Sequence, residues 1–202
     1  MNVLTLLHKF IYMKINSLVI GSGAREHAIV RSISLSDNCG TIYSLPGNPG
    51  INKIAKNVNI PINNYIEITN FCREKNIDLV VIGPEQPLAD GMSDVLRSYG
   101  INVFGPSKFA AQLETSKSFA KDVMLKSQVP TASYKTFTDG ELNEAIDYIK
   151  SQNFPLVIKA DGLAAGKGVV IAENENIAIS TVNEFFRGKF GEASKNILIE
   201  EF

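Results

Sequence analysis

The chain has 202 residues, 45% of them hydrophobic, enough for one large or two small domains with real cores. Charged residues make up 20% and the formal net charge is −1, which excludes an overall basic field that would draw the chain to nucleic acid. Cys39 and Cys72 have no Cys or His partner at metal-ligand spacing, and the only histidines are His8 and His27. A His-rich metal centre is therefore excluded, and the two thiols read as reduced cysteines of a cytoplasmic protein.

In chain order, residues 1–12 (MNVLTLLHKFIY) are mildly apolar, too short to span a bilayer, and lack a small-residue cleavage site. They read as an extension, with Met13 opening the first domain. Ser17-Leu18-Val19-Ile20 is a short strand ending in Gly21-Ser22-Gly23, and a helix follows with Ala28, Ile29, Ile33 and Leu35 on its apolar side. Thr41–Ser44 is a second strand, closed by the turn Pro46-Gly47-Asn48-Pro49-Gly50. A helix carrying Ile66, Phe71 and Cys72 leads to the apolar strand Asp78–Ile82, which ends in Gly83-Pro84-Glu85. The helix around Met92, Val95 and Leu96 and the strand Asn102–Phe104 complete the series. Strands alternating with helices predict a doubly wound, Rossmann-like α/β domain with a parallel sheet over residues 13–114.

Beyond Gly105-Pro106 the pattern changes. The spacing predicts helices over Ser116–Ser127, Glu141–Ser151 and Ala178–Phe186, and strands over Leu156–Lys159, Gly168–Ala172 and Ile197–Glu200. Residues 115–202 thus read as a small α+β domain with an antiparallel sheet. It ends directly after a strand, as a truncated domain would.

Three segments carry chemistry. Gly21-Ser22-Gly23-Ala24-Arg25-Glu26 lies where a strand gives way to a helix, a place where backbone N–H groups and the helix dipole favour an anion. The dinucleotide fingerprint would need a third glycine where Glu26 stands and an acidic residue after the second strand, where Ser44-Leu45-Pro46 stands. A nicotinamide cofactor is disfavoured, while a ligand-free tight turn stays open. Gly83-Pro84-Glu85 sits at the carboxyl edge of the same sheet, where open α/β sheets bind ligands, although an ordinary proline-stiffened turn would look similar. Together the two loops suit a phosphorylated sugar bearing an amine. The third segment, Lys159-Ala160-Asp161-Gly162-Leu163-Ala164-Ala165-Gly166-Lys167-Gly168, is a glycine flap between two strands whose N–H groups and flanking lysines suit a triphosphate. It is not a Walker loop, because no Ser or Thr follows Lys167 and a strand comes next.

The segments GSGAREHA, PGNPG, GPEQPLADG, FGPS-FAAQLE-SK-FAK, IKADGLAAGKGV and ILIEEF, in this order, resemble the phosphoribosylamine–glycine ligase (glycinamide ribonucleotide synthetase) family of the ATP-grasp superfamily. The resemblance covers Met13 to Phe202. It implies an ATP-dependent ligase of purine biosynthesis, acting through glycyl phosphate on the small molecules phosphoribosylamine, glycine and ATP, with no nucleic-acid or membrane partner. By resemblance Gly21, Gly23, Arg25 and Glu26 hold the ribose phosphate region, with Gly83, Pro84 and Glu85 closing the other side. Lys117 and Lys159 touch ATP, the flap residues Gly162, Gly166, Lys167 and Gly168 cover its phosphates, and Glu200, Glu201 and Phe202 meet adenine mostly through backbone groups. Ala24 stands where the family usually has glycine, which is tolerable only at negative φ.

The family's ligands for Mg2+ or Mn2+ are expected beyond Phe202, so the resemblance assigns no metal ligand and no catalytic residue to this chain. A shortened gene product, a fragment, and one part of a split enzyme whose carboxyl-terminal part is a separate chain all fit. A non-catalytic nucleotide-binding module and another ATP-grasp carboxylate–amine ligase are the alternative functions. Phosphoryl transfer depends on positioning and on metal neutralising the developing charge. The purified chain is therefore expected to show no glycine-dependent ADP formation with phosphoribosylamine and magnesium. Turnover above a no-enzyme control that disappears in Lys159→Ala would contradict this.

Overall fold

A computed structural model of the protein describes residues 14–164 and 166–202. The extension 1–12, the opening Met13 and Ala165 of the flap lie outside these residues. The chain divides into two units between Ala111 and Gln112.

In the first unit, β1 (Ile15–Gly21) pairs in parallel with β2 (Cys39–Pro46) on one side and with β4 (Leu79–Ile82) on the other. Short strands β3 (Lys56–Asn57) and β5 (Val103–Phe104) extend the edges to give the order β3-β2-β1-β4-β5, all parallel. Strand residues alternate between faces, and both faces are apolar. Leu18, Ile20, Val80 and Ile82 pack with Ile68, Cys72, Met92 and Leu96, from helices α2 (Tyr65–Glu74) and α4 (Met92–Ser98). Val19 and Val81 face the other way, onto Val30 of α1 (Ala24–Ser34) and onto Ile51 and Ala55. Burial on both faces is what a parallel sheet requires.

Three details depart from the sequence reading. Ala28 and Leu35 are not on the apolar side of α1: Ala28 is exposed, and Leu35 is the C-cap residue and is 74% exposed, because the helix ends one residue earlier. The segment after β4 is two helices, α3 (Glu85–Asp90) and α4, separated by Gly91 at φ +93°, a left-handed conformation that stops one helix and starts the next. A further helix, α5 (Lys108–Thr115), precedes α6 (Lys117–Lys126). Ala24 opens α1 in helical conformation, so it meets the negative-φ condition.

The second unit has an antiparallel sheet, β6-β9-β7-β8, formed by β6 (Tyr134–Thr138), β7 (Leu156–Ala160), β8 (Val169–Ala172) and β9 (Asn196–Glu201). Strand β6 is absent from the sequence reading because only Phe137 in it is buried, which leaves almost no alternation to detect. Helices α7 (Leu142–Lys150) and α8 (Glu175–Phe186) cover one face. Ala145, Ile149, Ala178, Val182 and Phe185 meet Leu156, Ile158, Ala160, Ile197 and Ile199 there. The side chain of Asn174 caps α8 by accepting from the Ile177 N–H.

Phe185 is fully buried in this core and stacks edge-on against Phe190 at 5.1 Å. Phe185→Ala removes that surface and leaves a cavity, so it should cost about 3–5 kcal/mol in urea unfolding. A loss below about 1 kcal/mol would mean that the core closes over the gap.

Candidate functional site

In the first unit, three loops leave the carboxyl edges of β2, β1 and β4. The chain winds outward from β1 to β2 and β3, then crosses back to β4, so the sheet's switch point lies between β1 and β4. Arg25 bridges that point. Its Nη1 and Nη2 donate to Glu85 Oε1 and Oε2 at 2.6 and 3.2 Å, and its Nε donates to Glu26 Oε1 at 3.1 Å. The bidentate Glu85 pair comes first in raising the Arg25 guanidinium further, and Arg25 in turn holds the Glu85 carboxyl below the usual range.

Glu26 is 3% exposed. Its Oε2 accepts from the Gly23 N–H at 2.6 Å, capping the amino end of α1 from within. A Cβ added at Gly21 would lie 2.5 Å from Glu26 Cγ, and one at Gly23 2.8 Å from its Oε2. One at Gly83 would also collide with this carboxylate. Gly21 additionally sits at φ +126°. Gly23, at φ −82° and ψ −178°, is in extended backbone that any residue adopts, so space alone demands glycine there.

The turn after β2 is tied to the same loop, a role that Pro-Gly-Asn-Pro-Gly signals only as a turn in sequence. Asn48 Nδ2 donates to the Ser22 carbonyl at 2.8 Å, and Gly47 N–H donates to the Gly21 carbonyl at 3.2 Å. A cavity of about 510 Å³ opens beside these loops, lined by Gly21, Ser22, Gly23, Glu26 and Pro84 with Pro46, Ile60 and Ile62. Ser22, Ile60 and Ile62 were not legible as lining residues, because Ile60 and Ile62 belong to a segment without periodicity.

In the second unit the flap joins β7 to β8. Its base is closed by the Ala160 N–H donating to the Gly168 carbonyl at 2.8 Å, and the Lys167 N–H donates to the Ala164 carbonyl at 2.9 Å. Gly166 takes φ +75°, and a Cβ at Gly162 would lie 2.8 Å from the Ala193 Cα. Lys167 is exposed. Lys117 opens α6, and its Nζ donates to the carbonyls of Asp161 and Gly162 at 3.3 and 3.1 Å. Burial lowers the Lys117 pKa, with the Lys159 charge adding to the effect against Asp161. Asp161, which sequence reading left unassigned, fixes this corner. Its carboxylate accepts from the Ser118 N–H at 2.7 Å and from the Ser118 and Ser116 hydroxyls at 2.9 and 3.1 Å.

On the sheet face away from the helices, Glu200 of β9 pairs with Val157, two residues before Lys159 on β7. Glu200 is 6% exposed and forms ion pairs with Lys159 and, at 2.6 Å, with Lys121 of α6. Lys121 is further held by Thr131 Oγ1 at 2.7 Å and the Ala132 carbonyl at 3.1 Å. Its position one helical turn after Lys117 was the available signal. Glu201 and Phe202 are exposed, and the Glu201 N–H donates to the Ser133 carbonyl at 3.0 Å. Among the described residues no group of three or more His, Cys, Asp or Glu could hold a metal ion, and no helix is long and apolar enough to cross a membrane.

Residues 13–114 match the family model described as phosphoribosylglycinamide synthetase, N domain, and residues 115–202 match its ATP-grasp (A) domain. A phosphoribosylamine–glycine ligase of Mesorhizobium japonicum is 48% identical over 187 residues, 93% of this chain but 44% of that protein. The crystal structure of the Thermotoga maritima phosphoribosylamine–glycine ligase superposes with a TM-score of 0.73 at 31% identity, covering 93% of this chain and 44% of that one. The biotin carboxylase domain of Hydrogenobacter thermophilus 2-oxoglutarate carboxylase, solved with MgADP, shares the fold at a TM-score of 0.73 and 20% identity, over 94% of this chain and 44% of that one. The chain thus spans less than half the length of the relatives it matches.

Burial would raise the Glu200 pKa, but hydrogen bonds from Lys121 and Lys159 outweigh it and hold the carboxyl below its ordinary value. A lowered folded-state pKa stabilises above the unfolded value, about 4.3, and that contribution is lost as pH falls through the folded value. Glu200→Gln should therefore cost about 2 kcal/mol near neutral pH, with variant and wild type converging in acid. Unfolding midpoints measured from neutral pH down into the acid range test this, and a pH-independent gap would contradict it.

Proposed function

The chain belongs to the phosphoribosylglycinamide synthetase family, and on that premise we propose that it carries the front part of a carbon–nitrogen ligase. The whole enzyme joins 5-phosphoribosylamine to glycine in the cytoplasm, cleaving ATP to ADP and phosphate and giving glycinamide ribonucleotide. Residues 13–114 form its substrate domain and residues 115–202 the flap side of its ATP cleft.

The pair of ammonium groups at the base of the flap carries this reading. Lys117 rests on two backbone carbonyls, which leaves a third N–H free for a phosphate oxygen. Lys159 shares the one carboxylate of Glu200 with Lys121, so two positive charges face one negative charge and the cluster keeps a surplus for an anion. Lys167 and the N–H groups around Gly162, Gly166 and Gly168 close over the same phosphates, while backbone groups of Glu200, Glu201 and Phe202 take the adenine. In the first unit Gly21, Gly23, Arg25, Glu26, Gly83, Pro84 and Glu85 build the phosphoribosylamine side.

Magnesium or manganese, when bound, neutralises the charge that develops on the transferred phosphoryl group. The described residues do not fit a metal centre by themselves. What they do is bind and orient: they hold the triphosphate against the sheet, fix the lysines, and keep the flap base closed.

Charge-assisted hydrogen bonds contribute about 1.5–3 kcal/mol each, so Lys159→Ala should weaken ATP binding roughly ten- to a hundred-fold. Binding to this chain alone is expected to be no tighter than about millimolar, because ordering costs are met by fewer contacts. Isothermal titration with ATP and magnesium tests both statements. Micromolar binding that survives the substitution would remove ATP from this flap.

A further inference from the structure

We propose that the turn Asp139-Gly140 is a site of spontaneous main-chain modification, at which Asp139 converts through a cyclic imide to isoaspartate. The inference stands apart from the ligase reading and needs no reagent but water. Aspartate followed by glycine is the reactive pairing, because glycine has no side chain to screen its amide nitrogen and restricts the chain least. The sequence holds three such steps, Asp90-Gly91, Asp139-Gly140 and Asp161-Gly162, and no Asn-Gly step. Their surroundings differ.

At the end of α3 the Gly91 N–H donates to the Leu88 carbonyl at 3.1 Å, and Asp90 Oδ1 accepts from Gln86 Nε2 at 2.9 Å. At the root of the flap the Gly162 N–H donates to the Ala193 carbonyl at 3.1 Å, and the buried Asp161 carboxylate is held by Ser116 and Ser118. At both steps the attacking nitrogen and the carboxyl are occupied. Asp139 and Gly140 instead form the centre of a four-residue turn closed by the Glu141 N–H on the Thr138 carbonyl at 2.9 Å. Among the described residues neither the Gly140 N–H nor the Asp139 carboxylate has a hydrogen-bond partner, and both residues are exposed. A Cβ built on Gly140 would meet only Thr138 Oγ1, at 4.0 Å. Asp139 also fronts a hollow of about 260 Å³ shared with Phe186, Arg187, Glu192 and Lys195, which gives the ring and water room. Lys195 is ion-paired there with Glu192 at 2.9 Å rather than with Asp139.

With the carboxyl protonated, the Gly140 nitrogen attacks Asp139 Cγ. A C–N bond forms, the Cγ–OH bond breaks, and the hydroxyl leaves as water with the amide proton. Water then opens the five-membered imide at either carbonyl. Opening at Cγ restores aspartate, whereas opening at the main-chain carbonyl leaves the chain running through Cγ, one carbon longer. One water leaves, one returns, and nothing is oxidised or reduced. The longer stretch lies inside the span of the Glu141–Thr138 bond, which should open. Thr138 pairs with Asn196, whose carbonyl accepts from the Asp161 N–H at 3.0 Å, so the altered turn is one strand away from the flap base.

Ageing the intact chain in warm, mildly acidic buffer, folded and in urea, tests this. Digestion with a protease that cleaves before aspartate but not before isoaspartate, followed by peptide mapping, reads the three steps separately. In the folded chain isoaspartate at position 139 should exceed that at 90 or 161 by at least about ten-fold, because each of those must first break two or more hydrogen bonds. In urea the three yields should come close together, which also shows that the conditions suffice. Asp139→Glu, an exposed change that would need a slower six-membered ring, should remove most of the isoaspartate formed in the folded chain. Equal yields at the three steps of the folded chain, or none at 139 where the unfolded chain reacts, would overturn the assignment. An undiminished total in Asp139→Glu would overturn it as well.

Discussion

A single buried carboxylate organises the first unit. Glu26 is reached by the Gly23 N–H, by Arg25, and by the space beside Gly21 and Gly83, which belong to loops following different strands. Burying a charge is costly unless hydrogen bonds and an opposite charge accompany it, and both are present. Because Arg25 continues to Glu85, the same network ties the loop after β1 to the loop after β4, across the point where the sheet reverses its winding. Asn48 and Gly47 bring the loop after β2 to that edge as well. The cavity walls are consequences of this network.

The second unit repeats the theme with the sign reversed. Glu200 is the buried carboxylate, and two ammonium groups from different elements converge on it. Lys121 holds Glu200 to α6 and to the segment around Thr131, and Lys159 stands at the base of the flap. Asp161 performs a parallel task one strand-end away, gathering Ser116 and Ser118 so that α6 begins where Lys117 meets the flap carbonyls. An acid-rich anchor beneath a lysine-rich surface keeps the lysines in place without cancelling their charge.

Much of this was legible in the sequence, and the exceptions have physical causes. The parallel sheet followed from strands such as Leu79–Ile82, apolar on both faces, and the flap from glycines set between lysines. Strand β6 escaped because an edge strand with one buried residue, Phe137, carries no periodic signal. The split at Gly91 escaped because a helix pattern does not record a single φ of +93°. More instructive is Gly21-Ser22-Gly23, whose glycines suggested space for a phosphate. Sequence shows that a loop has room but not what occupies it, and the occupant stands three residues further on, inside the helix. Lys121 and Asp161 were overlooked for a related reason: each acts through a partner more than forty positions away, Lys121 on Glu200 and Asp161 on Ser116 and Ser118.

The arrangement of Gly21, Gly23, Glu26 and Gly83 has a bearing on how such chains can diverge. A side chain at any of the three glycines has no room while Glu26 remains, and a smaller residue in its place leaves a void and a bare N–H at Gly23. The four positions, drawn from two segments about sixty residues apart, therefore behave as one heritable character. A side chain at any of the three glycines therefore calls for a compensating change at Glu26. A chain with glycine in place of Glu26 would have vacated the space, and its loop would be free to close around a phosphate from outside. The distance between a self-filled loop and a ligand-filled one is then a single position, guarded by the three that would have to accept the change.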